Sequence, residues 1–528
     1  MIGAVVLALV CNNTGAQTIA RMDENDSLII RKNLNEVMIS SDHIEHDREV
    51  STCHYSENVD EVIEGSSGIS LTRRGNYASE VVVRGLSSER LNLTIDGMKI
   101  FSACTDKMDP VSSYVSANNL KSVSCEKGGE GKCYGSSTGG QVDFRLKDPK
   151  LNDSEKVRSN LSLGLNSVSL GKQASFNTNY SEKNWAIRLN AMATKHGNYL
   201  AGGGEEMAHS QYSKTNFALS TKFKISANDF IQADVIADDA RDVGYPSLPM
   251  DVAYATGRIY SVTYKKYLDG RLAGNLKAKI YGNNIRHLMD DAQREVVMHM
   301  DMPGLSDTYG SFLTYETSEL KRNRVNVAID VYKNRSFAEM TMFPEGESEM
   351  YMVTWPDVNR TVLGIYASET HRFKNTDELM WTGRIDFGES RVQSEFGRKQ
   401  FEVFRYDVSE PFTHRVYSTS LSYSKALGAH SSLTLETSYS ERLPSVSEQF
   451  GYYIFNSMDA YDYIGDPLIK NESAYKAEIG HRFNHKKLLL SSAVYAMHMP
   501  NYILGMVDQN LDGMTLGSNG VKQYANIA

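Results

Sequence analysis

From about residue 150 onward, apolar and polar positions alternate with a period of two. Leu161, Leu163 and Leu165 are separated by polar or small residues, as are Val325, Val327, Ile329 and Val331, then Leu433 and Leu435, with Tyr439 further along. A period of two sends successive side chains to opposite faces of an extended chain, so each segment predicts a strand with one apolar face. A single such segment says little, but many in succession, with little helical periodicity between them, predict one large antiparallel sheet. Closing that sheet into a barrel removes its exposed edges.

Ahead of this region the pattern is compact and mixed. EVVVRG at 80–85 and LNLTIDG at 91–97 predict strands, and SSYVSANNLKSVSC at 112–125 predicts a helix-like or turn connection. A small α+β globular domain before a large barrel predicts a plugged lumen. LNEVMISS at 34–41 is an isolated extended segment between charged and flexible stretches. The opening MIGAVVLALV has the apolar run of an export signal, with small residues from Thr14 to Ala16 at plausible cleavage positions. The expected organisation is a signal peptide over 1–16, a leader over 17–49, a plug domain over 50–147 and an all-β transmembrane barrel over 148–528.

Composition narrows the class. No run of about 18 apolar residues follows the N-terminus, which excludes helical membrane spans but not a β-barrel, whose strands each carry a weak alternating signal. Thirty tyrosines and 39 glycines beside 11 prolines suit a large antiparallel sheet with aromatic girdles and tight turns. The net charge of −9 and the lack of a dense basic stripe argue against nucleic acid as a partner. There is no P-loop, GxSxG or HExxH, and no framed pair of carboxylates, so an enzyme is not expected.

Taken in order, several stretches resemble the TonB-dependent receptor family across essentially the whole chain. LNEVMISS resembles a TonB box, here Leu34, Asn35, Glu36, Val37, Met38 and Ile39, the segment an inner-membrane energy transducer grasps by strand pairing. EVVVRGLSSERLNLTIDGMKI at 80–100 is similar to the family's plug sheet, with Arg84, Gly85, Asp96 and Gly97 at its recurring RG and DG positions. GGEGKCYGSSTGGQVDFRLKDP at 128–149 resembles the plug's terminal Gly-rich loop, and ERLPSVSEQFG at 441–451 a late barrel motif. The resemblance implies a plugged outer-membrane transporter whose partners are a TonB-type transducer and the outer-membrane lipid. At roughly 20 residues per strand and connection, the barrel segment holds on the order of 18 strands or fewer, against about 22 for plugged transporters, so the last strands are expected to be missing.

Three stretches resemble TonB-dependent copper receptors: ACTDKMDPVSSYV at 103–115, DARDVGYPSLPMD at 239–251 and RHLMDD at 286–291. The resemblance implies a metal site of Cys104, Met108, His287 and Met289, with copper ion, as Cu(I), being cargo instead of a cofactor. The ligand chemistry agrees, since thiolate and thioether are soft donors that favour Cu(I), and imidazole accepts either oxidation state. Zinc fits Cys and His but not two thioethers. Met298, His299, Met300 and Met302, in the polar stretch MHMDMP, are candidates for a secondary capture site among the 22 methionines. Further clusters stand at Met340, Met342, Met350 and Met352, and at Met497, His498 and Met499; for Met340 and Met342, a place facing lipid or core is the simpler expectation.

Other readings stay open at this point. Cys104 is also a candidate disulfide partner of Cys53, and Cys125 of Cys133, because thiols of exported proteins usually pair. Within the same fold the cargo could be a ferric siderophore, a corrinoid or another metal chelate. A passive adhesin or porin-like barrel would need neither plug nor TonB box.

Overall fold

A computed structural model describes residues 5–8, 48–49, 59–64, 68–127, 134–151, 154–270, 273–318, 322–374, 377–485 and 488–527. The segment 34–41 that resembles a TonB box, Cys53 and Cys133 lie outside the described residues. Among the described residues no helix is long and apolar enough to cross a membrane.

A 16-stranded sheet dominates the fold, with every strand antiparallel to its neighbours and following the next in chain order from Val157–Asn166 to Leu488–His498. The sixteenth member is the short Val5–Ala8, inside the expected signal segment, which pairs with Ser491 to Val494. Strand length grows from 10 residues in Val157–Asn166 to 23 in Met350–Arg372. The sheet wraps a globular N-terminal domain: Asn118 of that domain bonds Ser175 near one edge of the sheet, and Arg84 bonds Glu478 near the other.

Burial along these strands is inverted relative to a soluble sheet. In Asn323–Phe343, Val327, Ile329 and Val331 are 41, 44 and 39% exposed, while Asp330 between them and Asn334 further along the opposite face are buried. Leu161, Leu163 and Leu165 are 65, 74 and 88% exposed. Apolar residues outside and hydrogen-bonded polar residues inside are what a barrel in lipid requires, because its outer solvent is hydrocarbon and its lumen is polar. The period-two pattern is thus an outward apolar face.

The enclosed domain is built as expected from mixed elements. Its five-stranded sheet contains the parallel pair Leu91–Ile95 and Gly140–Leu146, and a three-stranded sheet and the helix Val59–Glu64 pack beside it. The RG and DG positions are two-residue hairpin turns. Arg84 and Gly85 have φ of 52 and 82°, Asp96 and Gly97 have 49 and 77°, and Val83 pairs with Leu86 and Ile95 with Met98 across them. Two successive positive φ values match the right-handed twist of the flanking strands. The connection at 112–125 is two short 3-10 turns, Val111–Tyr114 and Ala117–Asn119, leading into the strand Leu120–Glu126, so it is extended from residue 120 onward.

Charged groups tie plug to barrel. Arg84 donates two hydrogen bonds, 2.7 and 2.8 Å, to Glu478. Arg90 reaches Glu472, which also accepts from the buried Arg442, itself paired with Glu448 of the helix Val446–Phe450. ERLPSVSEQFG therefore supplies both a capping box at Ser445 and Glu448 and half of a balanced set of two guanidiniums and two carboxylates. Not all of the C-terminal third joins the large sheet. Ile454–Asn456, Tyr461–Ile464, Val521–Ile527 and Tyr502–Asp508 form a separate four-stranded sheet, with one parallel pairing.

Candidate metal centre

The plug's contribution is a tight loop from Ser102 to Asp109, held by a single carboxylate. Asp109 accepts from the Ser102 hydroxyl, from the backbone N–H of Ala103 and Cys104 at 2.9 and 3.1 Å, and from the Tyr114 hydroxyl at 2.6 Å. Four donors fill the lone-pair sites of one carboxylate. A turn closed by the Lys107 N–H on the Cys104 carbonyl, with Lys107 at φ 58°, brings Cys104 and Met108 to the same buried cluster.

The barrel's contribution comes from Gly274–Asp290. His287 and Met289, two apart, lie on its inner face and are each 1% exposed. In register, His287 faces Gly304 and Met289 faces Met302 on the next strand. Gly304 is the slot that admits the plug loop, since a β-carbon there would stand 2.1 Å from the Ala103 carbonyl oxygen.

The result is a junction of two domains. The Cys104 Sγ lies 3.8 Å from the Met289 Sδ, and one ligand atom each of Cys104, Asp109 and His287 fall within 4.8 Å of one another. Among the described residues the His287 Nε2 is buried with no hydrogen-bond partner, an arrangement that costs free energy unless something accepts or donates there. Burial, with the Asp109 and Asp106 charges adding to it, pushes the Cys104 thiol well above its usual range. It is therefore a neutral thiol at neutral pH and must lose a proton to ligate.

Of the residues expected from sequence, Cys104, His287 and Met289 meet here, and Met108 is buried in the same cluster. Asp109 was not foreseen, because only the fold brings it within reach of the imidazole and thiol. Among the described residues Cys104 and Cys125 are buried free thiols. Met302, Met340, Met342 and Met352 are buried in the cluster, with Met298 and Met300 packed against it. Met340 and Met342 thus face the luminal core, not lipid. Cross-strand register stacks Met300 against Met342, and Met340 against Met352. His299 is largely outside, its Nδ1 2.9 Å from Asp291. Met497 and His498 sit on the last long strand, apart from this cluster.

A plug filling a lipid-facing barrel, tied to it by ion pairs, defines the class of plugged outer-membrane transporters. Residues 45–142 match the TonB-dependent receptor plug domain and residues 134–527 the TonB-dependent receptor-like β-barrel, so the chain belongs to the TonB-dependent receptor family. It is accordingly an outer-membrane protein of the Gram-negative type and a transporter, not an enzyme. The family implies a TonB partner and a metal or metal-chelate cargo.

Solved structures share the fold. The copper transporter OprC aligns with a TM-score of 0.78 at 17% identity, over 89% of this chain and 74% of its own. The hemophore receptor HasR of Serratia marcescens aligns at 0.72 and 16%, over 89 and 74%. The FrpB iron transporter from Neisseria meningitidis aligns at 0.64 and 13%, over 89 and 72%. No curated protein matches the chain in sequence.

Proposed function

We propose that this receptor binds and imports copper, captured as Cu(I) by Cys104, Met108, His287 and Met289. The observation that carries the reading is the unpartnered, fully buried His287 Nε2 beside the Cys104 thiol and the Met289 thioether. One thiolate, two thioethers and one imidazole form a soft set that favours Cu(I) over harder divalent ions. The name of one structural neighbour, a copper transporter, points the same way, while the heme and iron receptors that share the fold keep an organic chelate as the second reading. Met298, Met300 and Met302, with His299, would then supply soft secondary contacts on the way in.

Two ligands come from the plug and two from the barrel, so a bound ion cross-links the domains. Occupancy can shift the plug only through different binding to its two states. The segment presented to the transducer is Leu34 to Ile39, LNEVMI.

The test is metal content by elemental mass spectrometry on protein purified after copper exposure, wild type against Cys104→Ala. About one copper per chain, lost in the variant, is the expected result. Equal copper in both overturns the assignment of Cys104, and no copper in either redirects the cargo to an organic chelate.

A further inference from the structure

The loop that follows the strand Asp229–Val243 lies against the plug loop, and one of its side chains ends on a ligand residue. Tyr245 is 1% exposed and its hydroxyl donates to the Met108 backbone carbonyl. We propose that Tyr245 is a positioning residue of the metal centre, a strut from the barrel that sets Met108 through its main chain. The proposal rests on the reading of Met108 as a ligand.

The strut is itself braced. The Tyr245 N–H donates to the Asp251 Oδ1 at 3.0 Å, and its carbonyl accepts from the Arg294 guanidinium at 2.9 Å. Arg294 also donates to both Asp251 oxygens, at 2.6 and 3.1 Å, and to the Leu248 carbonyl. His209 approaches the same Asp251 through its Nδ1, at 2.8 Å. Gly244 is needed for this approach, because a β-carbon there would lie 2.3 Å from the His209 carbonyl carbon. On the plug side, a β-carbon at Gly75 would stand 3.0 Å from the Tyr245 ring. The ring is thus fixed by its own loop and closed in by the plug.

The chemistry explains why such a brace matters for Met108. Methionine is unbranched and flexible, so its sulfur has no fixed position unless its backbone and surroundings supply one. Cys104 has its N–H on Asp109, and His287 and Met289 belong to a ladder-bonded strand. Met108 is instead steadied from across the domain boundary. Tyrosine suits the task because its ring has only two torsions and its buried hydroxyl demands an acceptor.

The experiment is titration of the full chain in detergent micelles with silver(I), a soft monovalent ion without redox chemistry, for Tyr245→Phe, Met108→Leu and Met289→Leu and for each Tyr245→Phe double variant. Retained heat-modifiable migration on gels checks the barrel. Loss of one hydrogen bond should weaken silver binding about two- to tenfold in Tyr245→Phe. That penalty should persist in the Met289→Leu background and vanish in the Met108→Leu background, since a residue that acts through another has no effect once the other is gone. Unchanged binding in Tyr245→Phe, or an equal penalty in both backgrounds, overturns the proposal while leaving the metal-centre reading standing. A wild-type chain that binds no silver, or a Met108→Leu chain that binds it as wild type does, overturns both.

Discussion

Gly304 faces His287 directly across the antiparallel ladder, and its missing side chain leaves the space that the Ala103 carbonyl occupies. Gly304→Ala should therefore push the Ser102–Asp109 loop off the barrel wall while leaving the ladder intact. The expected outcome is a barrel that still resists detergent unfolding but has lost most of its metal. Metal content measured beside heat-modifiable gel migration checks this, and full metal loading in the variant would show that the loop tolerates the β-carbon.

Asp109 holds four donors, three of them on or next to the Cys104 segment. Asp109→Ala leaves those groups buried and unsatisfied, at about 1–3 kcal/mol for each that finds no water. The loop should then open, and the Cys104 thiol should react faster with a maleimide than in wild type. Asp109→Asn should fall between the two, because one amide oxygen replaces only part of the acceptor capacity.

Arg442 sits between Glu448 and Glu472 and is buried with both. Arg442→Met leaves Glu472 with Arg90 and takes from Glu448 the guanidinium it pairs with, and removing one partner from a buried ionic set costs about 3–5 kcal/mol. Thermal unfolding in micelles should show a lower midpoint. Because Arg90 belongs to the plug, the plug should also become more sensitive to protease.

Asp96 gives the plug a pH dependence of defined sign. Burial pushes its carboxyl up to about 6, with repulsion from Asp143 adding to this and Lys279 opposing it. An unfolded chain releases that proton near pH 3.9, so the folded state holds it over a wider range. The contribution to stability is fully present below about pH 4 and is lost as pH rises to about 6. Asp96→Asn keeps a side chain that tolerates the left-handed backbone and has no charge to lose. Its thermal midpoint should therefore gain on wild type between pH 4 and 7, and a constant gap across that range would show that Asp96 is ionised throughout.

Sequence alone determined the architecture, because alternation is a local property. Val327, Ile329 and Val331 mark one apolar face of a strand whichever strands they pair with, whereas the outward direction of that face and the positive φ of the RG and DG turns came from the structure. The pairs Cys104/Met108 and His287/Met289 were marked by the resemblance of their stretches to copper receptors and not by alternation, although each pair lies on one loop or one strand. What only the tertiary structure decided lies between those segments. The register that sets Gly304 opposite His287, the Asp109 carboxylate that shapes the loop, and the Tyr245 hydroxyl on Met108 join residues far apart in sequence, so no local pattern records them. The methionines show the same division. Alternation told that Met340 and Met342 share a face, but whether that face met lipid or lumen depended on how the sheet curled around the plug.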